Sequence, residues 1–161
     1  MTKFVHVVDR ANSGLRLLLV LGFAALALIG VAQVAARYLF GAPLVWSEEV
    51  IRYGLIWLVF AGAGVAARLQ AFMAVEILIH ATPRSLGRAI ALAAGLIGIG
   101  VWIMLAVLGV RILSDLQGIS VGALETPIVW LYLAVPVGAA WAAVNTLAAL
   151  LAAPRMAESG R

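Results

Sequence analysis

The sequence contains no cysteine, which excludes disulfides and thiolate metal sites and says nothing about compartment. Charge is scarce: 11% of the 161 residues are Asp, Glu, Lys or Arg, while 65% are apolar. A soluble domain is about a quarter charged, so this chain could not cover a water-facing surface. Its mean hydropathy of +1.13 points to lipid as the solvent. Histidine is nearly absent, with His6 and His80 both outside the long apolar runs. Haem ligation in a helical bundle therefore has no candidate ligands within the spans. No HExxH, Walker or GxSxG pattern occurs. These absences argue against an enzyme and leave no candidate catalytic, cofactor-binding or metal-ligating residue. The net charge of +4 comes from scattered basic residues, with no stripe that would face nucleic acid.

What is present is a set of long apolar segments. A helix crosses a bilayer in about 20 mostly apolar residues. Four segments qualify, at about 17–36, 47–68, 89–110 and 126–153. The first is longer than a signal-peptide core of about 7–15 residues and lacks a good cleavage context, so it reads as a retained helix. The second reaches span length only when extended back to Ser47, giving 22 residues to Arg68, or about 33 Å at 1.5 Å per residue. The fourth has Pro127 near its start, where proline suits a first turn, and Pro136 inside, where it should kink the helix. The expected fold is an all-α integral membrane protein, a single four-helix domain over 1–161.

Lysine and arginine near span ends set orientation. Eight lie at the N-terminus, the middle loop and the C-terminus, and three, Arg37, Arg52 and Arg111, lie on the other side. Both termini are therefore expected in the cytoplasm. The middle loop is not simply polar, since Phe72, Val75 and Ile79 share a helical face. Either a short interfacial helix ending before Pro83 or an extension of the second span accounts for it.

Spans one, three and four contain no charged residue. Ion and solute paths usually place ionisable groups inside spans, so this chain is a poor candidate to carry a charged solute alone. Four-apart small pairs such as Ala91/Gly95 and Gly62/Ala66 serve equally for packing within the chain or docking onto another subunit.

The charged exception is "VWSEEVIRY", residues 45–53, with Glu48, Glu49 and Arg52 at the edge of the second span. Ser47 is a good N-cap. The two glutamates suit the positive end of the helix dipole, and either can pair with Arg52 along the helix. Trp46 is a typical interface anchor. This local reading explains where the acids are but does not require two of them; the second has a role if it meets a donor on a partner.

Residues Pro43 to Arg68, "PLVWSEEVIRYGLIWLVFAGAGVAAR", resemble the Trp-Ser/Thr-Glu-Glu-x-x-Arg-Tyr/Phe segment of the small permease subunit of TRAP transporters (tripartite ATP-independent periplasmic transporters, DctQ type). "TPIVWLYLAVPVGAAW" resembles that family's last span, with Pro136 in its Pro-Val-Gly, and the likeness extends over roughly residues 15–153. One departure is visible: Phe72 stands where the family often has histidine, although Arg68 and the following acid, Glu76, are kept. The resemblance implies a non-catalytic subunit of the bacterial inner membrane, surrounded by membrane lipid. Its partners would be a large permease subunit, which carries the substrate and sodium sites, and a periplasmic substrate-binding protein that delivers an organic acid. The rival reading is a stand-alone four-helix membrane protein, such as an assembly factor or small carrier.

Overall fold

The computed structural model of the chain describes residues 2–81, 84–122 and 125–159. The order is α1 (Thr2–Leu39), α2 (Ser47–Ala81), α3 (Arg84–Asp115), β1 (Ser120–Val121), β2 (Thr126–Pro127), α4 (Val129–Tyr132) and α5 (Ala134–Ser159). Four helices are long and apolar enough to cross a membrane: Lys3–Leu39, Ser47–Arg68, Ala89–Asp115 and Val129–Ala152. Helix is the form that satisfies each backbone N–H and C=O within its own segment, which hydrocarbon demands.

The helices stand in a row rather than a closed bundle. α1 packs mainly on α2, α2 on α5, and α5 on α3, while α1 and α3 do not meet among the described residues. The central α5 is the most enclosed, with Ala139, Ala142, Ala148 and Ala149 almost inaccessible. Its alanines leave room for neighbours to approach. At Gly138 the close neighbour is backbone: a Cβ built there would lie 2.6 Å from the Phe60 carbonyl oxygen of α2. Any larger residue would push the two backbones apart. The outer helices turn large apolar side chains outward, Phe23, Leu28 and Val31 on α1 and Leu96, Ile97 and Met104 on α3. The inside holds polar groups instead, and the largest fully buried side chains are Asn145 and Ser47. In lipid there is no hydrophobic drive to bury leucine, so small residues and polar links take the contact positions.

One expectation about the fourth span needs correction. Pro127 does not open the helix. It pairs with Ser120 in a two-residue antiparallel ladder, reinforced by the Ile128 N–H donating to the Ile119 carbonyl at 3.0 Å. The helix begins at Val129. The interruption near Pro136 falls three residues earlier, at Leu133, between α4 and α5. Pro136 has no N–H to give to the Tyr132 carbonyl. Leu133 keeps helical dihedrals (φ −61, ψ −26), and the ladder resumes where the Val137 N–H meets the Leu133 carbonyl at 3.3 Å. The helical path is therefore continuous, with one backbone hydrogen bond missing at Pro136.

All four long helices run past the expected spans, α1 and α2 furthest. α1 begins at Thr2, well before residue 17, and α2 continues unbroken to Ala81. The backbone of 69–81 is thus continuous with the second span. The side chains of this stretch, Glu76 among them, lie outside the described residues.

Candidate interface site at the helix ends

The start of α2 answers why two acids stand side by side. Ser47 is fully buried. Its hydroxyl donates to the Leu44 carbonyl at 2.6 Å, and its N–H reaches the same oxygen at 3.1 Å. That closes the turn before the helix, in place of the expected acceptance from a helix N–H. Successive helical residues diverge by about 100°, so Glu48 and Glu49 leave in different directions.

Glu48 turns to α1. Its Oε1 accepts from Gln33 Nε2 at 3.1 Å and from Arg37 Nη2 at 3.3 Å. Glu48 and Arg37 are 59% and 51% exposed, so the ion pair contributes about 0.2–1 kcal/mol. Glu49 turns inward and is 6% exposed. Its carboxylate lies against Gly122 in the loop after α3, where a Cβ would overlap it. Gly122 also has φ +92, a conformation that glycine adopts without strain. The two acids therefore tie the start of α2 to two different neighbours. The expected pairing of either with Arg52 does not form among the described residues; Arg52 is exposed. Trp46 is 43% exposed beside it.

A second polar cluster joins α1, α2 and α5 on the far side of the groups around Glu48. Arg68 is 8% exposed. Its Nε and Nη2 donate to Asp9 Oδ1 at 2.9 and 2.8 Å. Three residues along α1, the buried Asn12 donates through Nδ2 to Asn145 Oδ1 on α5. The Trp141 indole N–H donates to Asn12 Oδ1 at 3.2 Å, and Asn145 Nδ2 donates to the Trp141 carbonyl at 3.0 Å. A buried guanidinium and buried amides are costly without partners, and here they find them across helix boundaries. Arg68 stood out in the sequence; Asp9, Asn12, Trp141 and Asn145 did not. Two marks were readable: Asp9 is the acid in an otherwise basic N-terminal stretch, and Asn145 interrupts an apolar span.

A third link is Trp57 of α2, whose indole N–H donates to the Trp130 carbonyl of α4 at 3.1 Å. Pro136 is buried, packed against Gly109 of α3. Among the described residues no three His, Cys, Asp or Glu side chains come close enough to hold a metal ion. The polar groups of both clusters are chemically suited to fastening helices together.

Residues 16–155 match the family of tripartite ATP-independent periplasmic transporters, DctQ component. No curated protein matches the chain.

Proposed function

The chain belongs to the DctQ family, the small membrane subunit of TRAP transporters, and we propose that it braces the large permease subunit during sodium-coupled uptake of an organic carboxylate across the bacterial inner membrane. Membership of the family makes it a transporter component, a multi-pass membrane protein whose partners are a large permease and a substrate-binding protein. The bracing role rests above all on where the charges are. Charged side chains are absent from 17–36, 53–67, 89–110 and 126–153. The described ion pairs, Arg37–Glu48 and Arg68–Asp9, lie outside those stretches and fasten one helix to another. A path for a charged solute needs ionisable or polar groups through the bilayer interior; a rigid support needs them at its seams.

In this reading both termini face the cytoplasm, and the Glu48 end of α2 faces the periplasm. Trp46, Glu48 and Arg52 are exposed there and would meet the large subunit or the binding protein. The test is reconstitution in liposomes under an inward sodium gradient. The chain alone should move no carboxylate, and uptake should require the large subunit and the binding protein together with this chain. Uptake by the purified chain alone, or full uptake without it, would refute the bracing role.

A further inference from the structure

A groove of about 610 Å³ runs between α1, α2 and α5, floored by Trp57 and Ala61 and walled by Gly14 and Leu18 on one side and Gly138 and Trp141 on the other. Its lining is almost wholly apolar. The indole N–H groups of Trp57 and Trp141 donate elsewhere, to the Trp130 carbonyl and to Asn12 Oδ1. It is open along the α1 side, where Gly14 and Leu18 are exposed. The α1 wall comprises Ala11, Gly14, Leu15 and Leu18, a single helical face in the half of the span nearer the N-terminus.

The end of the groove nearest the N-terminus is electropositive. Arg10 lies four residues before Gly14, on the same side of α1, and Lys3 lies eleven before it, three turns further along that side. Lys3, Arg10 and Arg16 are all exposed, and none has an ion-pair partner among the described residues. Asp9, the acid of α1 beside them, is engaged by Arg68.

The geometry points to a structural phospholipid with an anionic headgroup, its acyl chain in this groove and its phosphate at Arg10, in the leaflet that borders the N-terminus. An apolar slot made by missing side chains accepts a flexible hydrocarbon chain. The cations at its end supply what such a headgroup lacks, at roughly a fivefold gain in affinity for each basic residue near the surface. A zwitterionic lipid would fill the slot without that gain.

The test is native mass spectrometry of the full chain in mild detergent, with dioleoyl phosphatidylglycerol or dioleoyl phosphatidylcholine added in turn. The parent should retain one phosphatidylglycerol in preference to phosphatidylcholine. Arg10→Gln should lower that preference roughly fivefold. Gly14→Leu should lower retention of either lipid at least tenfold with helicity by circular dichroism unchanged. Gly14 lines the groove and nothing lies within 4 Å of a Cβ there, so a leucine is accommodated without a clash. Equal retention of the two lipids by the parent, or a preference untouched by Arg10→Gln, would overturn the proposal. So would a Gly14→Leu variant that holds lipid normally but no longer binds the large subunit, since the groove would then seat a protein helix.

Discussion

The Glu49 carboxylate lies against Gly122, so that the buried first turn of α2 and the loop following α3 share one contact. The glycine is needed twice over, for the space that a side chain would take from Glu49 and for its φ of +92.

Gly122→Ala should therefore be among the more damaging single-methyl changes in this chain. The left-handed backbone alone costs about 1–2 kcal/mol for an L-residue, and displacement of the carboxylate adds to it. Gly118→Ala is the matched control, with φ +82 and nothing within 4 Å of a Cβ. Thermal unfolding in detergent should show a lower midpoint for Gly122→Ala than for Gly118→Ala. Equal midpoints would mean that the Glu49 contact carries no weight.

The neighbouring acids should separate in the same assay. Glu48→Gln keeps an acceptor for Gln33 and loses only an exposed ion pair, a loss of about 0.2–1 kcal/mol that shrinks further at high salt. Glu49→Gln puts an amide N–H₂ into a buried position shaped around a carboxylate, for about 1–3 kcal/mol. A larger loss at Glu48 than at Glu49 would contradict the assignment.

On the far side of the groups around Glu48, Asp9→Asn removes the charge facing the buried Arg68. Hydrogen bonds to charged groups contribute about 1.5–3 kcal/mol, and the lower end applies because Asp9 is 50% exposed. Asn145→Ala should cost at least as much, since it strands the Asn12 Nδ2 donor in a buried site. Protease susceptibility of the N-terminal turns of α1 reports both effects. Unchanged digestion in the two variants would show that α1 is held by its lower apolar turns alone.

Topology follows from single cysteines at Ser85 and Gln117 in this otherwise cysteine-free chain. In intact spheroplasts an impermeant thiol reagent should label position 117 and leave position 85 unlabelled. The reverse pattern would invert the orientation and, with it, the assignment of the Glu48 end to the periplasm.

The four spans could be read from the sequence because crossing a bilayer imposes a length and a composition, and each is a property of one segment. The position of the acids at the start of α2 was legible for the same reason, since a cap and a helix dipole act within one turn. Partner choice was not. Glu48 lies four residues from Arg52 and pairs instead with Arg37 on α1. Arg68 reaches Asp9 across 59 positions, and Asn12 reaches Asn145 across 133. Pro127 went to a two-residue ladder with Ser120 because the returning loop offered a strand partner that no local rule reveals. Those pairings depend on which helices are neighbours and how each is rotated about its axis. In a nearly uniform apolar helix the hydrophobic pattern leaves that rotation almost undetermined. Close approaches such as Gly138 on Phe60 select it, and they exist only once the helices have met.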